Sequence, residues 1–126
     1  MSSKWKTAAT WIALLVLALP TGAAGTALVL GVPALHESFA AMNFPVWFGY
    51  FIGAAEVAGA IGVLVPRLSA LAAAGLLPIM LGATYYHIVV DGSSSLHAVV
   101  LVALCIAVIV LRSDQALWHP FQQKDK

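Results

Sequence analysis

The sequence is almost without charge. Asp, Glu, Lys and Arg make up 9% of its 126 residues, against about 25% in an ordinary soluble domain. So few charged groups cannot clothe a globule of this size, which excludes an ordinary soluble enzyme. Hydrophobic residues make up 62%, which excludes a disordered chain. The formal net charge of +1 provides no basic field for phosphates and excludes a nucleic-acid binder. The single cysteine, Cys105, leaves no intrachain disulfide, no redox pair and no cysteine zinc site. No phosphate-cradling glycine loop, nucleophile elbow or paired-histidine zinc motif is present.

What the sequence has is apolar length. No formal charge occurs between Lys6 and Glu37, and only Glu56 lies between Glu37 and Arg67. None lies between Arg67 and Asp91, or between Asp91 and Arg112. A membrane-crossing helix needs about 20 predominantly apolar residues. Four stretches approach that length, at about residues 5–26, 45–65, 68–90 and 94–111. Period-two alternation is missing, which disfavours a membrane β-barrel. The expected fold is all-α, a transmembrane four-helix bundle forming a single integral membrane domain over residues 1–126. Lys4, Lys6 and the run ending at residues 22–27 also have the layout of a secretory signal. That run is long for a signal core, so the first span is read as retained.

The connections agree with this layout. Pro66-Arg67 makes a tight turn, so spans two and three are antiparallel neighbours. Asp91-Gly92 and the serines after it make a polar turn, with Ser94 or Ser95 placed to cap span four. Between spans one and two, Pro33 opens a short helix lying in the interface, with Leu35, Phe39 and Met42 on one face.

The cations are one-sided. Lys4, Lys6, Arg67, Arg112, Lys124 and Lys126 all fall on one side of four spans, and Glu37 and Asp91 fall on the other. The positive-inside rule then places both termini in the cytoplasm of a bacterial plasma membrane. Trp5, Trp11, Trp47, Tyr50, Tyr85, Tyr86 and Trp118 lie near span ends, as interfacial aromatics do. The tail from Trp118 to Phe121 is expected on the inner leaflet.

Glu56 is the most informative residue. A charge mid-span costs about 2.5–3.5 kcal/mol on insertion scales, so it needs a partner, a proton or water. Helical spacing puts Gly49, Gly53, Glu56 and Ala60 on one stripe, and the two glycines form a small-xxx-small contact. Glu56 is therefore expected to face Pro20, Thr21 and Pro78, and in protonated form to donate to a carbonyl that a proline has freed. Gly59 and Gly82 are expected to serve helix packing as well. A second polar group, His36, Glu37, Tyr86, His87, Asp91 and His97, gathers at the opposite side from the cations. Its spacing matches no strong metal motif, so no metal is expected. Cys105 is expected to be a packing residue.

Residues 44–67 resemble the DoxX-like family of small four-helix membrane proteins. The likeness rests on Gly53, the mid-helix Glu56, Gly59-Ala60-Ile61-Gly62 and the closing Pro66-Arg67. Ser38-Phe39-Ala40-Ala41 and Leu81-Gly82-Ala83-Thr84 with His87 extend it. The resemblance implies the fold and admits several functions, among them quinone-linked oxidoreduction, membrane thiol-defence complexes and receptor assembly. Family members often carry a basic residue after a Ser/Thr-Gly pair closing span one. Here Thr21-Gly22 leads into Ala23-Ala24-Gly25-Thr26, so Glu56 is without that cation.

The leading expectation is an accessory or assembly subunit of a membrane complex, without a catalytic motif. Its partners would be the lipid bilayer and a membrane or redox protein, with a homodimer compatible. One alternative is a membrane oxidoreductase subunit passing electrons to quinone, the one cofactor considered, with Tyr86 and the histidines lining the head-group pocket. Another is a small-solute or proton-coupled transporter using Glu56.

Overall fold

The computed structural model describes residues 3–92 and 94–112. Helix α1 spans Ser3–Val29, α2 Pro33–Ala41, α3 Val46–Val63, α4 Ser69–Tyr85 and α5 Leu96–Arg112. A π-helical turn, Tyr86–Asp91, extends α4. The chain is all-α, and α1, α3, α4 with its π turn, and α5 form a four-helix bundle. Three of the four are long and apolar enough to cross a membrane. The fourth, α5, has 17 residues and is about 26 Å long at 1.5 Å per residue.

The helices pack in a ring, α1 on α3, α3 on α4, α4 on α5 and α5 back on α1. Neighbours run antiparallel. Gly22 faces Ala60 while Gly25 faces Glu56, and Gly59 faces Leu76 while Gly62 faces Ala72. Leu14, Leu17, Val63, Leu76, Cys105 and Val108 fill the centre, drawn from all four members of the ring. Cys105 is a fully buried packing residue, as expected. Large apolar side chains such as Ile12, Leu19, Phe51, Ile61 and Val110 face outward. In water such a surface would aggregate, whereas in lipid it is solvated.

Inside hydrocarbon, association depends on close packing more than on expelling water. The α1–α3 seam shows why glycine is required. A Cβ on Gly25 would lie 2.8 Å from the Gly53 carbonyl oxygen, and one on Gly53 would lie 2.9 Å from the Gly25 carbonyl oxygen. The two backbones touch. Gly82 does not share this role. It is exposed, and a Cβ there meets nothing within 4 Å, so the packing contact expected of it is absent among the described residues.

Three threonine hydroxyls within the spans are satisfied locally. Thr10, Thr26 and Thr84 each donate to the carbonyl four residues back. At the α3–α4 turn the buried Ser69 hydroxyl reaches the Val63 carbonyl at the end of α3. Ser94 accepts the Leu96 N–H at 3.3 Å, as the turn chemistry anticipated. Lys4, Lys6, Arg67 and Arg112 lie at one end of the bundle, and Glu37 and Asp91 at the other. Arg112 sits over the Trp11 ring at 5.5 Å. Lys124, Lys126 and the segment 118–121 lie outside the described residues.

Candidate functional site

Three polar features are built into the bundle. The first comprises two buried polar side chains within the spans, Glu56 on α3 and Thr21 on α1. The stripe Gly49, Gly53, Glu56 and Ala60 is buried as its spacing required. Glu56 is 7% exposed and Thr21 1%. Both carry a fully buried oxygen with no hydrogen-bond partner, Oε1 of Glu56 and Oγ1 of Thr21. An unsatisfied buried polar atom costs about 1–3 kcal/mol, so these two stand apart from the self-satisfied hydroxyls elsewhere.

The expected neighbourhood of Glu56 is corrected in one respect. The residue faces α1, but Gly25 lies opposite it, its built Cβ 2.8 Å from that of Glu56. Pro20 and Pro78 are both exposed on the outside of the bundle, and Glu56 makes no hydrogen bond to a carbonyl that either proline frees. The physical reason is the Gly25–Gly53 backbone contact. It sets the register of α1 and α3 and turns the Pro20 ring outward, where close approach is not needed, while Pro78 lies on the exposed face of α4. The glycines of spans one to three are expected to serve close helix approach, and Gly22 and Gly25 do so here, making with Ala18 and Thr21 a small-residue stripe that matches the one on α3.

The second feature lies at the far end of α4. The π turn carries Tyr86, His87 and Asp91. His87 Nδ1 is 3.7 Å from Asp91 Oδ2. The His87 ring meets that of His97 with centroids 4.7 Å apart, and that of Tyr86 at 5.4 Å. Single π turns often occur at functional positions. This group can hydrogen-bond a polar head group. Among the described residues no group of three or more His, Cys, Asp or Glu side chains is arranged to hold a metal.

The third feature is His36 on α2. Helix α2 packs on α3 and on the end of α1. His36 Nε2 is 2.8 Å from the Leu28 carbonyl, one of the last four of α1, which lack helical partners. A carbonyl only accepts, so Nε2 carries the hydrogen. The imidazole lies against Tyr50, centroids 4.4 Å apart. A Cβ on Gly49 would lie 2.6 Å from His36 Nδ1, so that glycine seats the ring. Glu37 is exposed. Of the polar residues foreseen at this end, the structure seats His36 on α2–α3 and brings Tyr86, His87, Asp91 and His97 into contact on α4–α5.

Compared with known proteins, residues 12–110 match the DoxX-like family. No curated protein and no solved structure matches the chain. The chain belongs to the DoxX-like family, and its apolar helices make it a multi-pass membrane protein.

Proposed function

We propose that this DoxX-like chain is an accessory or assembly subunit of a larger membrane complex, acting as one integral membrane domain. In this reading it sits in a bacterial plasma membrane with both termini cytoplasmic, on the side of Lys4, Lys6, Arg67 and Arg112. The observation that carries the reading is the outward face of α4. The span Ser69–Asp91 is the least covered of the three long spans. Gly75 and Gly82 lie on it, exposed, with nothing within 4 Å of a Cβ at either. A glycine in a helix costs about 1 kcal/mol relative to alanine. Two of them on a lipid-facing stripe gain nothing inside this chain. They do allow a helix from another protein to approach closely.

Purification in mild detergent with an α4-proximal cross-linker, attached through Leu81→Cys, tests this. A captured membrane or redox protein, lost in the Gly75→Leu/Gly82→Leu variant, supports it. Capture of only a second copy of the chain makes the face a homodimer seam. A chain that stays monomeric and catalyses a reaction alone defeats the reading.

A second reading is supported by Glu56 and Thr21. A carboxyl without a cation or a hydrogen-bond partner in the membrane core is a candidate proton carrier for a small-solute transporter. Proton-dependent uptake into liposomes that Glu56→Gln abolishes is the expected result. Absence of uptake of any tested solute by the wild type removes it.

A further inference from the structure

A pocket of about 210 Å³ lies between α2 and the start of α3, lined among others by Gly31, His36, Phe39, Phe44, Pro45 and Tyr50. Its size sets the scale of an occupant. A cavity of about 150 Å³ accepts benzene, whereas pockets for drug-sized molecules run to about 300–1,000 Å³. This one therefore suits a single six-membered ring with two or three further heavy atoms.

The walls specify the chemistry. Phe39, Phe44 and Tyr50 present rings, and Phe44 stacks on Phe48 with centroids 4.4 Å apart, which fixes its plane. Pro33 and Pro45, also in the lining, have no N–H to offer. The His36 Nε2 hydrogen is committed to the Leu28 carbonyl. The Tyr50 hydroxyl makes no hydrogen bond among the described residues. It abuts Gly31, where a Cβ would come within 3.1 Å of it. The pocket thus has aromatic walls and one uncommitted hydroxyl, which can donate or accept.

Its cover can move. Helix α2 has no buried residue. Gly31 at φ +83° precedes it and Asn43 at φ +66° follows it, so the chain reverses sharply on both sides. The ring contacts of Phe39, the His36–Tyr50 contact and the single His36–Leu28 side-chain bond hold α2 down.

We propose that this pocket binds a single-ring aromatic molecule bearing one hydrogen-bonding oxygen, a phenol-class ligand, with its ring among Phe39, Phe44 and Tyr50 and its oxygen on the Tyr50 hydroxyl. Helix α2 is the lid. The site lies on the opposite end of the bundle from the basic residues and shares no residue with Glu56 or the His87 group. It stands independently of the accessory-subunit reading.

Fluorine NMR of 4-fluorophenol and 4-fluorotoluene with the detergent-purified chain, against empty micelles, tests the assignment. The expected result is a saturable shift for both probes, with 4-fluorophenol the tighter. Tyr50→Phe weakens 4-fluorophenol about tenfold and leaves 4-fluorotoluene unchanged. Ala40→Trp fills the pocket from α2 and Val46→Trp fills it from α3. Both replace exposed residues, and each abolishes saturable binding of both probes. Shifts no different from empty micelles, or saturable binding that survives both fillers, overturn the site. Equal affinity of 4-fluorophenol for wild type and Tyr50→Phe overturns the ligand class.

Discussion

Gly25 and Gly53 show how much one hydrogen atom in place of a methyl group matters in this bundle. Alanine at either forces a Cβ to within 3 Å of opposing backbone, and overpacking of that kind costs about 1–3 kcal/mol. Gly25→Ala and Gly53→Ala are expected to lower the thermal midpoint in detergent, and Gly82→Ala to leave it unchanged or raise it. Equal behaviour of all three would show that the seam is looser than its geometry. Thr21→Val makes a complementary case. It removes a hydroxyl that bonds to nothing while keeping its shape, so stability should hold or rise by about 1 kcal/mol. A loss of that size would reveal a partner for the hydroxyl. Glu56 was legible from the sequence because an acid inside an apolar run is costly in hydrocarbon and has to turn toward the other helices. Gly25 was harder to read. It lies among Ala23, Ala24 and Thr26, all small, and composition alone does not say which of them meets backbone. Gly82 was over-read for the converse reason, since a glycine in a membrane helix looks the same whether or not a neighbour in the chain uses it.

Among the elements, α2 is the least anchored and the most dependent on one bond. His36→Ala leaves the Leu28 carbonyl without its side-chain donor, which costs about 1 kcal/mol. It should raise hydrogen exchange across residues 33–41 while leaving α3 protected. His36→Gln, which can still donate, should recover much of the protection. Unchanged exchange in His36→Ala would mean that the Phe39 contacts alone hold the lid. The α3–α4 turn gives a second prediction. Ser69 ties the first turn of α4 to the last carbonyl of α3. Ser69→Ala should lower stability by about 1–2 kcal/mol, read from the thermal midpoint, with no change in helix content. Helix placement was legible because charge and proline mark each boundary, and Pro33 opens α2 as expected. The π turn was not legible. An i→i+5 ladder differs from an α-helix by one residue per turn and has no compositional mark, so Tyr86, His87 and Asp91 read as ordinary helix. The pocket was not legible either, because its walls come from three separate segments and no single residue among them signals chemistry.

For the molecule as a whole, hydrocarbon is the solvent that the exposed surface fits. The chain should stay in the pellet after alkaline carbonate washing and ultracentrifugation of native membranes, and release into the supernatant would refute membrane integration. Charge asymmetry was readable from sequence at this scale because four spans sort the basic residues mechanically to one end. What no pattern could disclose is that the ring of helices is unequal. Between α1 and α3 the chains meet main chain to main chain at Gly25 and Gly53, flanked by contacts onto the Cβ atoms of Leu28, Glu56 and Ala60. These two staves are expected to move as one rigid mast. A shape change in this small protein has to be carried by the α4–α5 pair and the α2 flap, so spin labels bridging the mast should report a fixed separation under every condition that moves the rest.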